Sequence, residues 1–194
     1  MKKLLLSFSL VLVTASAFAQ GEVNFNNNSA FVTTADRLVR DPSGTALVGT
    51  NWYAQLYFGA ATAPESSLIP VTTGTGGTPV GPAHFRPGVP SAPGTWTAGG
   101  TRQLIGFNPG DTVTLQVRVW DGSLFPDFAA AVAGGGIWGT STTFAYTAPA
   151  LSPPPAASAF FMENLRGFQL IVPEPSVIAL GVLGAAALFL RRRK

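Results

Sequence analysis

The chain has 194 residues, only 11% of them charged, with 22 glycines, 16 prolines and no cysteine. That length allows about one domain, and the lack of cysteine excludes disulfides, thiolate chemistry and cysteine-based metal sites. The formal charge of +3 arises at the two extreme ends, whereas six arginines face eight carboxylates between Gln20 and Val172, so the middle is about −2 and has no basic stripe for nucleic acid.

The N-terminus has the layout of a secretory signal. Met1-Lys2-Lys3 is a short basic region, Leu4 to Val13 is apolar, and Ala17-Phe18-Ala19 fits the small-x-small cleavage pattern. Cleavage by signal peptidase is expected after Ala19, leaving Gln20 as the new terminus. The competing reading is an uncleaved anchor, which the short apolar core disfavours.

Strand signals follow. Val23 and Phe25 alternate with Asn24 and Asn26 in a first strand, and Asn27-Asn28-Ser29 fits a glycosylation sequon, a pattern that chance also produces. Residues 37–40 and 45–48 flank Asp41-Pro42-Ser43-Gly44, which predicts a hairpin. In Asn51–Gly59, Trp52, Ala54, Leu56 and Phe58 share one face and Tyr53, Gln55 and Tyr57 the other. Thr72–Gly81 is Gly/Thr/Pro-rich and reads as a loop, as does the stretch around His84. Residues 102–107 form a further candidate strand. The clearest strand is Asp111–Trp120, where Val113, Leu115, Val117 and Val119 alternate with Thr114, Gln116, Arg118 and Trp120, predicting one buried face. Residues 125–133 suit one or two helical turns. Residues 142–147 and 167–172 read as strands, and the prolines of 148–156 predict an extended, exposed segment.

The C-terminus has three parts in strict order: Val172-Pro173-Glu174-Pro175, the uncharged apolar run Ser176–Leu190, and Arg191-Arg192-Arg193-Lys194. The prolines mark a helix start. The 15-residue run spans roughly 22 Å at helical rise, short of the about 30 Å hydrocarbon core, so snorkelling of the terminal basic side chains or local thinning must close the gap. The basic cluster stays cytoplasmic, placing the preceding domain outside.

This combination resembles the PEP-CTERM sorting signal of exported proteins in Gram-negative bacteria. The resemblance covers roughly residues 172–194. It implies recognition of Pro173, Glu174 and Pro175 by an exosortase, a membrane-embedded cysteine transpeptidase that removes the tail, and it implies a place at the cell surface or in the exopolysaccharide matrix. The alternative is a plain tail anchor with a proline-marked boundary. The opening Val23–Asn27 stretch is similar to that of some exported proteins with this tail, a likeness that implies no activity.

Chemistry-bearing patterns are sparse. His84 is the one histidine, hence the one base available to a serine triad, and no Gly-x-Ser-x-Gly elbow accompanies it. Asp111 and Asp121 sit beside turn glycines, where aspartate forms turns without further function. A calcium site among Asp111, Asp121 and Asp127 is open, although no EF-hand loop is present. Gly74, Gly76 and Gly77 lack the Lys-Ser/Thr of a phosphate loop. Trp52, Tyr53, Tyr57 and Trp120 are candidates for stacking on sugar rings, against the alternative that both sheet faces are covered and these rings are core.

The fold expected is all-β, an antiparallel β-sandwich of jelly-roll or Ig-like type over residues 20–171. A signal helix (1–19) precedes it and a sorting tail with a transmembrane helix (172–194) follows. The function expected is a non-enzymatic surface or matrix protein without cofactor or metal. A carbohydrate-binding module retaining exopolysaccharide is the alternative, and a secreted hydrolase stands behind both.

Overall fold

The computed structural model describes residues 20–28, 36–87, 92–97, 100–150 and 155–173. In chain order its first strands are β1 (Gly21–Asn24), β2 (Val39–Arg40), β3 (Trp52–Ala60), β4 (Ile69–Pro70), β5 (Ala83–Phe85) and β6 (Trp96–Thr97). Then come β7 (Thr101–Leu104), β8 (Thr112–Asp121), helix α1 (Phe128–Ala133), β9 (Trp138–Thr140), β10 (Phe144–Thr147) and β11 (Phe168–Gln169). The described chain is all-β, mostly antiparallel, with little helix.

The two strongest period-two segments form the centre. β3 and β8 pair antiparallel from Trp52 opposite Asp121 to Ala60 opposite Val113. β9 and β10 share the far edge of β8, and β4 and β5 share the far edge of β3, with β6 beyond β5. Two smaller pairs complete the described sheets: β1 with β7, antiparallel, and β11 with β2, parallel.

The pleat puts Ala54, Leu56 and Phe58 on the same face as Val113, Leu115, Val117 and Val119, all buried. Val23 of β1 and Leu104 of β7 join the same apolar cluster. Phe25, Phe85 and Trp96 interlock within it, with ring centroids 5.1 and 5.7 Å apart for the pairs that Trp96 makes.

The opposite face of β8 corrects the expectation of a single buried face, because Thr114, Gln116 and Trp120 are buried too. Over Trp120 the cover is α1, with Phe128 and Ala131 packed on the ring. Polar residues tolerate this burial because they are bonded: Gln116 donates to the Ser141 carbonyl at 3.1 Å and accepts from Arg118 Nε at 2.9 Å. Asp127 caps the helix by accepting from the Ala130 amide at 2.8 Å.

Of the three loop expectations, those around His84 and over 148–156 change. Ala83–Phe85 is a strand, so His84 stands on β5 opposite Tyr53 and Thr97. Residues 72–81 close into a compact turn through the bridge between Thr73 and Pro79, with Gly76 and Gly77 at φ of 69° and 78°. Ala148 and Pro149 are buried rather than exposed, because the Ala148 amide and carbonyl bond Asp111 and Gly110 and so prolong β10. Residues 151–154 lie outside the described residues.

The 37–48 hairpin survives in reduced form, as a bridge between Arg40 and Ala46. Its turn is organised by Asp41, whose carboxylate accepts from Ser43 N, Ser43 Oγ and Thr45 N. Arg37, at its start, is 3% exposed and donates to the Met162 carbonyl at 2.7 Å. Its Nε and Nη1 have no partner among the described residues, and burial, with Arg166 nearby, pushes its pKa down to about 10.

Candidate functional site

The C-terminal strand is held on both sides. Phe168 and Gln169 pair with Val39 and Arg40, and the Leu170 amide donates to the Arg40 carbonyl at 2.8 Å. Ile171 then crosses to the other neighbour, donating to the Trp138 carbonyl at 2.8 Å and accepting from the Trp138 amide at 3.3 Å. Val172 is exposed, and Pro173 has no N–H with which to continue a ladder. Only Val172 therefore separates the last hydrogen-bonded residue from the Pro173-Glu174-Pro175 motif. Glu174, Pro175 and the basic cluster Arg191, Arg192, Arg193 and Lys194 lie outside the described residues.

At the other end Gln20 accepts from the Gly106 amide through Oε1 at 2.8 Å, and the Gly21 amide donates to the Phe107 carbonyl at 2.6 Å. The small residues Ala17 and Ala19 lie outside the described residues.

The four candidate stacking residues do not form one exposed row. Trp120 is 0% exposed and donates through Nε1 to the Phe125 carbonyl at 3.1 Å. Tyr57 is buried beneath the Arg118 guanidinium, whose carbon lies 4.0 Å from the ring centroid. Neither ring offers a face to a sugar, which corrects that expectation for both. Tyr53 is half-buried, edge-on to His84 at 4.4 Å and to Trp120 at 5.9 Å. Trp52 is half-buried on the other side of the sheet, against the main core.

A shallow groove on the α1 side went unseen in the sequence. It has a volume of about 550 Å³, and Glu65, Ser66, Arg118, Phe128, Val132 and Trp138 are among the residues that line it. Arg118 donates to the Glu65 carbonyl at 3.0 Å and makes no ion pair among the described residues. Trp138 packs edge-on to Phe128 at 5.5 Å. The available signal was weak: an arginine at a polar position between Gln116 and Trp120, and a tryptophan just after a run of glycines.

The titratable candidates have ordinary local partners. His84 Nδ1 bonds the Thr50 carbonyl at 3.0 Å, which fixes the proton on that nitrogen. Asp111 accepts from the Asn108 amide at 2.7 Å, and Asp121 from the amide and hydroxyl of Ser123. With Asp127 capping α1, each of the three holds a turn or a helix end. Among the described residues no group of three or more His, Cys, Asp or Glu is placed to hold a metal ion.

The sequon asparagine is structural. Asn27 is 4% exposed, and its Nδ2 donates to the Arg37 and Gly94 carbonyls, both at 2.9 Å. Its Oδ1 accepts from the Trp96 amide at 3.0 Å. Glycosylation needs that same nitrogen, so the folded domain withholds it.

Among the described residues no helix is long and apolar enough to cross a membrane, and the apolar run 176–190 lies outside them. No family model, curated protein or solved structure matches the chain.

Proposed function

We propose that this is a non-enzymatic exported protein of the cell surface or extracellular matrix, processed at both ends. Signal peptidase removes residues 1–19, and an exosortase acts on the Pro173-Glu174-Pro175 tail. The observation that carries this reading is the tail sequence, in which motif, apolar run and basic cluster follow one another in a chain whose first residues have the layout of a secretory leader. The geometry supports it in one respect. The strand leading to the motif is pinned as far as Ile171, so a processing enzyme meets the motif directly beside a folded domain. We read that domain as an antiparallel β-sandwich, because the β1–β7 pair and the central sheet supply side chains to one shared core.

Recognition is expected to depend on an extended Pro-Glu-Pro backbone with Glu174 as its one charged handle. Intact mass of the protein from its native host, together with its division between membrane and medium, tests this. A mass corresponding to a start at Gln20 and an end near Pro173–Pro175 is expected, any excess reporting an attached lipid or glycan. Glu174→Ala is expected to retain residues 176–194 and to stay in the membrane fraction. Normal processing of that variant would remove Glu174 from the recognition step. A native mass that still includes the tail would make it an ordinary anchor.

A second reading, retention of exopolysaccharide, is favoured by the partial exposure of Tyr53 beside exposed His84. On it, Tyr53→Ala weakens binding to the host's polysaccharide by roughly 1–3 kcal/mol, the scale of one aromatic stacking contact and its buried area. Unchanged retention on immobilised polysaccharide would dispose of it.

A further inference from the structure

The face of the domain around the C-terminal exit carries a connected apolar strip. Ile171 is directly opposite Trp138 in an antiparallel bridge, so the two side chains project from the same side of the sheet. Trp138 in turn shares the groove with Val132 of α1. Ile171, Val172 and Val132 are 46%, 57% and 42% exposed, and Trp138 is half-buried. Arg118, free of any ion pair among the described residues, lies in the same groove, with Glu65 as the one carboxylate on its rim.

Chain length decides what meets this strip. The apolar run begins at Ser176, five residues beyond Ile171. At full extension five residues cover at most about 18 Å. The headgroup region on each side of the hydrocarbon core is itself roughly 5–8 Å thick. A domain tethered so briefly has no room to stand away from the bilayer, and the residues nearest its tether are the ones that meet the surface first.

We propose that, before processing, the Val132–Trp138–Ile171 face rests on the outer-facing headgroup layer of the membrane that holds the tail. Ile171, Val172 and Val132 supply the exposed apolar side chains of this face, and Arg118 offers lipid phosphates a guanidinium. This rests on the reading of residues 176–190 as a membrane segment, and the test separates the two.

The chain has no cysteine, so a single introduced thiol is labelled uniquely. The full-length protein is reconstituted in phosphatidylethanolamine–phosphatidylglycerol vesicles as V132C, I171C, I105C or A185C, each carrying an environment-sensitive fluorophore. Ile105 is exposed beside β7, across the central sheet from the strip, and serves as the distant apolar control. Lipids bearing a shallow nitroxide are expected to quench V132C and I171C strongly and to leave I105C bright, while deep nitroxides quench A185C. Quenched A185C with V132C and I171C as bright as I105C would overturn the resting face and keep the membrane tail. Unquenched A185C would overturn the tail reading and the resting face with it.

Discussion

Trp120→Ala is expected to destabilise the domain by roughly 3–5 kcal/mol, the range for removing a buried tryptophan. The ring is wholly buried, edge-on to Tyr53 at 5.9 Å and to Phe128 at 6.4 Å, and its Nε1 holds the Phe125 carbonyl. Alanine leaves a cavity between the central sheet and α1 and an unpaired carbonyl, itself worth about 1–3 kcal/mol. A small domain has about 5–15 kcal/mol in total, so the denaturant midpoint should fall far and α1 should loosen first. The outcome also separates two roles for this residue. A solvent-facing sugar platform would lose affinity and keep its midpoint, so a shift below about 0.5 kcal/mol, as for ordinary surface substitutions, would contradict the buried role.

Asn27→Ala is expected to cost about 3 kcal/mol or more. The side chain contributes two donors and one acceptor, to Arg37, Gly94 and Trp96, at a buried site. Alanine orphans the Arg37 carbonyl and the Trp96 amide, each at about 1–3 kcal/mol before relaxation, and takes one of two donors from the Gly94 carbonyl, which keeps the Val39 amide. The near-isosteric Asn27→Asp sharpens the test. Aspartate still accepts from the Trp96 amide but sets a carboxylate oxygen against two carbonyls, so it is expected to be at least as damaging as alanine. Thermal melts of the two variants should rank them so. A melt equal to that of the parent would mean that the segment from Phe25 to Asn28 is not anchored by this residue.

The sequence made the centre of this fold readable and its margins obscure, for physical reasons. β3 and β8 each carry nine or ten residues of alternating pattern, which only a pleated strand accommodates. The hairpin turn at Asp41 and the turn at Asp111 were legible from local chemistry, because aspartate beside serine or glycine closes its own turn. β4, β6 and β11 are two residues long, and β5 and β9 three. Such strands exist because neighbours supply their partners, and two residues have no period. His84 shows the effect: flanking prolines and glycines suggested a loop, yet β3 recruits it as a strand residue.

The polar face of β8 misled in another way. Thr114, Gln116 and Arg118 suggest water, but Ser141, Glu65 and α1 meet their polar atoms and aromatic neighbours instead. The groove beside Arg118 was therefore hidden, since it forms from residues that converge only after α1 folds over the sheet. The proposed tail motif is linear and so is read along the chain without any fold. The burial of Trp120 and Tyr57 was not legible, because alternation fixes the side of a sheet and leaves open what covers it.

The parallel pairing of β11 with β2 joins the two ends of the described domain. Val39 meets Phe168 across 129 positions of chain, and Arg37 reaches the Met162 carbonyl across 125. Under the proposed export, a chain threaded outward from its N-terminus would deliver β2 early and keep it waiting for its partner. Long-range pairing of this kind is slow and leaves edges open to aggregation meanwhile. On that reading β11 would emerge only a few residues ahead of Ser176, so the last act of folding would coincide with the arrival of the apolar run. On the same reading, an enzyme acting on the tail would meet a domain whose final strand has just become free to close.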